Sequence, residues 1–152
     1  KARVPAPPAA GETAAAPTGH AVLVGHGRVG SRIAEALKAA HVPLLVIEND
    51  EAGVEALKAR GIAAITGVAG EEGTLEQLNL PAAKWLISAI PDPFEAGNLI
   101  ERARAANPSI RVMARAHTDA EVAYLKGLGA ELVVMGEDEI AQRIIKDVLP
   151  LG

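Results

Sequence analysis

The residues best placed to do chemistry are three glycines and one acid. Gly25, Gly27 and Gly30 punctuate the run Gly25-His26-Gly27-Arg28-Val29-Gly30, and Glu48 stands 18 residues beyond it. A glycine loop at this spacing can bind a phosphate largely through its backbone. Gly25 would permit a tight turn, Gly27 would let an anion approach where a Cβ would intrude, and Gly30 would let the next helix pack closely. The helix N-terminus then offers free N–H groups and a partial positive charge. A carboxylate at the Glu48 position accepts hydrogen bonds from ribose hydroxyls and repels a 2′-phosphate. The pattern predicts an adenine nucleotide with a free ribose and disfavours NADP. On this reading Gly27→Val abolishes binding while sparing the fold. Glu48→Ala weakens ribose-containing ligands and leaves free phosphate alone.

Glycine spacing carries this meaning only between the right elements. Ala21–Val24 reads as a strand and Arg28–Ala40 as a helix with Val29, Ile33 and Leu37 on one face. Leu44–Ile47 is a second strand, closed by Glu48, and Glu51–Arg60 a helix stopped by Gly61. Ile62–Thr66, Trp85–Ile90, Arg111–Ala114 and Leu132–Val134 read as further strands. Glu71–Leu78, Phe94–Ala106, Asp119–Leu128 and Asp138–Leu149 read as the helices between and after them. Six strands alternating with helices predict an α/β, Rossmann-type doubly wound parallel sheet of order 3-2-1-4-5-6. A five-stranded flavodoxin-like order is the competing architecture.

In such a sheet, ligands sit outside the carboxyl ends of the strands. Arg28, in the first helical turn, either reaches a phosphate or is solvated, and His26 lines the phosphate site. Asn49 and Asp50 flank the adenosine, unless Asp50 instead caps the second helix. The loop Gly67-Val68-Ala69-Gly70 approaches adenine or ribose through backbone groups, with Ala89 and Ile90 in the loop after strand 4. Arg115 binds phosphate or pairs with Asp92 or Asp119. His117 reads as a polar loop residue.

Composition narrows the classes. The 152 residues carry a net charge of −4 and three aromatic residues, which argues against nucleic acid as a partner. Cysteine is absent, excluding disulfides, thiolate metal sites and Cys nucleophiles. No His/Asp/Glu cluster has metal spacing, and no serine lies in a nucleophile elbow, so no catalytic residue is assigned. No apolar run approaches the roughly 18–20 residues of a transmembrane helix, which predicts a soluble unit. Residues 1–19 are rich in Pro, Ala and Gly without apolar periodicity and read as a flexible linker to a preceding portion, with residues 20–152 as one domain.

The stretches HAVLVGHGRVGS (20–31), PLLVIE (43–48), AKWLISAIPDPFEAG (83–97), RVMARAHTDAEVAYL (111–125) and GAELVVMGEDEIA (129–141) resemble the RCK or TrkA-N regulatory domains of potassium transport proteins. Among these they are most similar to the C-terminal domain of Kef-type (YbaL-like) cation/proton antiporters. The resemblance implies a non-catalytic sensing domain that binds AMP foremost, with NAD(H), ADP or ATP as further ligands. It implies a tether through residues 1–19 to an N-terminal membrane antiporter portion of the same chain, at the cytoplasmic face of a bacterial inner membrane. By residue, the family's phosphate loop maps to Gly25, Gly27, Arg28 and Gly30, its ribose acid to Glu48, and its adenine-side loop to Gly67 onward. Many relatives carry Asp after that glycine where this chain has Val68, so a carboxylate contact is lost. The family also implies a homodimer, and the stripe Ile140, Ile144, Ile145 and Val148 on helix 6 fits it, as do Val122, Leu125 and Leu128 on helix 5. Packing of helix 6 on the sheet's own edge is the alternative. The competing function is the cofactor-binding half of an NAD-dependent dehydrogenase.

Overall fold

The computed structural model describes residues 17–68 and 70–149; Ala69 and residues 1–16, most of the expected linker, lie outside the described residues. Strand and helix alternate: β1 Ala21–Val24, α1 Arg28–Ala39, β2 Leu44–Glu48, α2 Glu51–Ala59, β3 Ala63–Thr66, α3 Glu72–Leu78, β4 Trp85–Ser88, α4 Pro93–Ala106, β5 Arg111–Ala116, α5 Asp119–Gly127, β6 Leu132–Met135 and α6 Gly136–Val148. The six strands form one parallel sheet of order β3-β2-β1-β4-β5-β6. This is the expected Rossmann order, with the reversal between β1 and β4 that opens a crevice at their carboxyl ends.

Two apolar layers hold the sheet. Leu23 and Val46 pack with Ala34 of α1 and Val54 and Leu57 of α2 on one face. Val22, Val24, Leu86 and Val112 pack with Leu99 and Ile100 of α4 and Leu125 of α5 on the other. All four residues of β1 are buried, as a central parallel strand requires. The helices start where the side chains dictate. Asp50 accepts from Gly53 N at 3.2 Å, Asp92 from Phe94 N at 2.9 Å, and Thr118 from Glu121 N at 3.1 Å. Pro93 follows Asp92 at the first position of α4, where a missing N–H costs nothing.

Three expectations need correction. β4 ends at Ser88 rather than Ile90, because its partner β1 turns away at Gly25 and the ladder closes with Ala89 N donating to Val24 O at 2.9 Å. On α1 the small residues Gly30 and Ala34 are buried and bring the helix close to the sheet, with Ile33 of the apolar stripe packing beside them. Helix 6 begins at Gly136, immediately after β6, and every residue of it is exposed, so it does not pack on the sheet's own edge. Val122, Leu125 and Leu128 of the helix 5 region pack into the chain's own core.

The segment entering β1 is tied down. Pro17 O accepts from Asn79 Nδ2 at 3.0 Å, Gly19 N donates to Ala82 O at 2.7 Å, and the fully buried His20 bonds Leu78 O through Nε2 at 2.8 Å.

Candidate functional site

The glycines of the loop serve different masters. Gly25 has φ +95° and donates its N–H to Ile47 O at 3.0 Å, so the chain leaves β1 through a left-handed turn that L side chains resist. A Cβ on Gly30 would lie 2.1 Å from Gly25 O, closer than any packing tolerates. Both are demanded by the fold. Gly27 is different: a Cβ there meets nothing within 4 Å, and its φ of −73° is open to any residue. It is also the N-cap of α1, and no side chain caps that helix. The first-turn N–H groups therefore face outward without a capping acceptor, beside a position kept free of side chain. That combination suits an anion.

Glu48 closes β2 and is half-buried. Its Oε1 accepts from Asn49 N at 2.8 Å and from Asp50 N at 3.4 Å, and its Oε2 accepts from His26 N at 3.1 Å. The acid is thus held against the glycine loop. Asp50 is the N-cap of α2, as one of its two readings had it.

Beside these groups lies a cavity of about 330 Å³, within the roughly 300–1,000 Å³ of small-molecule sites. Of the expected residues, Gly25, Glu48 and Asn49 line it from the first two strand ends, and Gly67, Val68, Ala89 and Ile90 from the loops after β3 and β4. Val68 is 41% exposed, an apolar wall open to a flat ring. His26, Gly27 and Arg28 sit at the helix terminus and do not line this cavity; Gly30 is buried beneath the loop. Gly67 answers to packing, since a Cβ there would lie 2.6 Å from Thr74 Oγ1. Two acids at the start of α4, Asp92 and Glu95, also line the cavity. Glu95 is absent from the sequence reading, although a Glu three residues past an Asp-Pro cap was a signal that its side chain stands at a helix mouth.

Val29 and Arg115 fall elsewhere. They line an apolar groove of about 180 Å³ with Ile33, Ile87, Met113 and Val134, on the face of the sheet that carries α1. Among the described residues Arg115 has no ion pair with Asp92 or Asp119. His117 bonds Glu121, its Nδ1 lying 3.4 Å from Oε1, which makes it part of the α5 start.

The family description for a TrkA-N domain matches residues 21–136, from β1 through the last strand. The chain belongs to the TrkA-N family. It is 49% identical over 127 residues to YbaL of Escherichia coli (strain K12), a relative named for cation/proton antiport; the match covers 84% of this chain and 23% of that one. The chain therefore spans about a quarter of that relative's length. The crystal structure of the TrkA-N domain of the Escherichia coli inner membrane protein YbaL superposes with a TM-score of 0.83 at 47% identity, covering 86% of this chain and 97% of that one. Two more distant structures share the fold. The AMP-bound Kef C-terminal domain of Shewanella denitrificans has a TM-score of 0.73 at 22% identity, covering 88% of this chain and 81% of that one. The NAD-bound GsuK channel has a TM-score of 0.73 at 18% identity, covering 85% and 23%. Potassium channel protein 1 of Methanocaldococcus jannaschii is 30% identical over 129 residues, covering 81% of this chain and 39% of that one, so TrkA-N domains similar to this one occur in both cation antiporters and potassium channels. Among its described residues no helix is long and apolar enough to cross a membrane.

Proposed function

We propose that this TrkA-N domain is a non-catalytic nucleotide sensor of a monovalent cation/proton antiporter, and that its ligand is AMP. The observation that carries the reading is the uncapped N-terminus of α1 at Gly27, a side-chain-free approach that the fold does not itself require, with Glu48 held beside it. The phosphate sits at that terminus with Arg28 nearby, the ribose at Glu48, and the adenine between Val68 and Ile90. Three acids, Glu48, Asp92 and Glu95, line the cavity, which favours a ligand of low negative charge. AMP fits this better than ADP or ATP, and NADP is opposed by Glu48. NAD(H) is the second ligand, supported by the NAD-bound channel that shares the fold.

The sensor works with a second copy of itself and with an N-terminal membrane portion of the same chain, at the cytoplasmic face of the inner membrane, joined through residues 1–19. The exposed stripe of α6 and the open groove of Val29, Ile33, Ile87, Met113 and Val134 are complementary apolar surfaces that one chain leaves bare. Reciprocal docking of α6 from each copy covers both. The dimer reading thus rests on α6 and not on α5. A ligand biases transport only through its different affinity for two arrangements of such a pair.

The test is a calorimetric titration with AMP, ADP, ATP, NAD, NADH and NADP at one salt concentration. Saturable AMP binding, tighter than ATP and lost in Gly27→Val, is the expected result. Absence of binding by all six would remove the sensor reading and leave a dimerisation module.

A further inference from the structure

We propose that the amino edge of the sheet, where the helices end and the chain enters β1, is a docking surface for an anionic lipid bilayer. The proposal rests on the membrane-portion reading above, which puts a bilayer within reach; it does not depend on the nucleotide.

The charges of this domain are sorted along the strands. With parallel strands joined by helices, strand starts and helix ends share one edge, and strand ends and helix starts share the other. All four lysines between β1 and β6 stand at the first of these. Lys38, Lys58 and Lys126 lie in the last turns of α1, α2 and α5, and Lys84 lies just before β4. All four are exposed, and among the described residues none has an ion pair. Arg60, Arg104 and Arg111 join them there. Glu35 and Glu131, two of the acids near this edge, are already held by those arginines, and Glu76 stands near the end of α3. The opposite edge is acidic, with Glu48, Asp50, Glu71, Asp92, Glu95 and Asp119 outnumbering Arg28 and Arg115.

A cation in the last turn of a helix answers the helix dipole, which accounts for Lys38, Lys58 and Lys126. It does not account for Lys84 and Arg111, which belong to strand starts. Nor does the net charge of −4 cancel the edge. The acids stand at the far ends of strands of four to six residues, about 13–20 Å away at roughly 3.3 Å per residue. Physiological salt screens charge over about 8 Å. A surface laid against the amino edge therefore meets lysines and not the distant carboxylates.

Two observations favour a bilayer as the occupant. The chain reaches β1 from this side, with Gly19 N donating to Ala82 O at 2.7 Å and Ala21 N to Pro43 O at 2.9 Å, so a membrane portion joined through residues 1–19 attaches where the lysines are. Between the ends of α1 and α2, a cavity of about 320 Å³ opens with Lys38, His41 and Gly61 on its wall, room for a phosphate headgroup.

The test mixes the 152-residue chain at low salt with phosphatidylcholine vesicles made with or without phosphatidylglycerol, and reads the bound fraction by sedimentation. Binding should need phosphatidylglycerol and fall as salt rises. Lys58→Gln and Lys84→Gln should each weaken it about fivefold, the effect of one cation near a charged membrane. Arg32→Gln removes the same charge from the second turn of α1, away from the edge, and should cost less than about twofold. Energy transfer from Trp85, the one tryptophan, to a dansyl-labelled headgroup should accompany binding, because Trp85 opens β4 beside Lys84. No binding to the anionic vesicles, equal binding to the neutral ones, equal loss in all three variants, or binding without transfer from Trp85 would each overturn the proposal. Titration of the same samples with AMP keeps the two readings apart. Vesicle binding without AMP binding removes the sensor and leaves the docking edge; AMP binding without vesicle binding does the reverse.

Discussion

The two halves of this sheet are finished to different degrees. Around β1, β2 and β3 both faces are covered: α1 and α2 seal one and the α3–α4 side seals the other, with Leu23, Val46, Val22 and Ile47 almost wholly buried. Around β4, β5 and β6 only the face under α4 and α5 is closed. The opposite face leaves Leu132 46% exposed and holds an apolar groove, while α6 projects from β6 with Ile140 at 64% and Ile144 at 58% exposure. One half is complete as a folding unit. The other leaves an apolar face bare in a single copy. The cavity lies at the carboxyl edge where the halves meet, and Val29 of α1 lies in the unfinished groove, within the loop sequence that ends at Gly30. On the proposed function, occupancy of the loop and cover of the groove would act on the same first turn of α1.

The largest effect that would break this contrast is in the finished half. Gly30→Ala forces a Cβ to within 2.1 Å of Gly25 O, and neither backbone can move without parting α1 from β1. Denaturant unfolding should show a loss of about 3 kcal/mol or no folded protein at all. A neutral outcome would mean that the loop is not rigid and that Gly30 is not a packing residue.

Gly27→Val, three residues away, should do the reverse. It meets open space, so its stability cost should stay near the 1 kcal/mol expected for a poor N-cap. AMP affinity should fall about a hundredfold, or ~2.7 kcal/mol, read by titration. Equal affinity would take the phosphate away from this helix. The pair Gly30 and Gly27 shows what the sequence conveyed and what it did not. All three glycines were legible as a loop because strand, loop and helix are adjacent in the chain. Which glycine serves the fold and which the ligand depends on the distance from Gly30 to Gly25 O, and that appears only when the chain has turned.

The open half was less legible for a related reason. The stripe on α6 was visible as a pattern, but a pattern does not say what covers it. Val29, Ile33 and Leu37 were likewise legible as one face of α1, but apolar period alone cannot reveal that Gly30 and Ala34 make the closest approach. Sheet order was legible from the alternation of strand and helix; β4 was overrun by two residues because its end is set by β1, its neighbour in space, and β5 runs two residues past its expected end, to Ala116. Ile144→Asp tests the open half. In a single copy the change should cost within about 0.5 kcal/mol, since the residue is exposed. In the proposed dimer it would bury an unpaired charge, and dissociation should rise about thirtyfold, or ~2 kcal/mol, by analytical ultracentrifugation. An unchanged dimer would leave α6 without its assigned partner.

The smallest expected effect is the most discriminating about the ligand. Asp92 does two things at the seam between the halves: it caps α4 through bonds to Phe94 N and Glu95 N, and it adds a negative charge to the cavity wall. Asp92→Asn separates them, because an asparagine oxygen still caps a helix while the charge is gone. Stability should change by less than about 0.5 kcal/mol. Affinity should rise in proportion to ligand charge, by about twofold for AMP and about fivefold for ATP, since the interaction scales with the product of charges in a partly solvated site. Raised salt should shrink both gains. Asp50→Asn is the control, for Asp50 caps α2 by the same chemistry but does not line the cavity. If Asp92→Asn left the ratio of AMP to ATP affinity where it was, the acids of the α4 mouth would not be what selects a monophosphate, and selection would have to come from the size of the cavity.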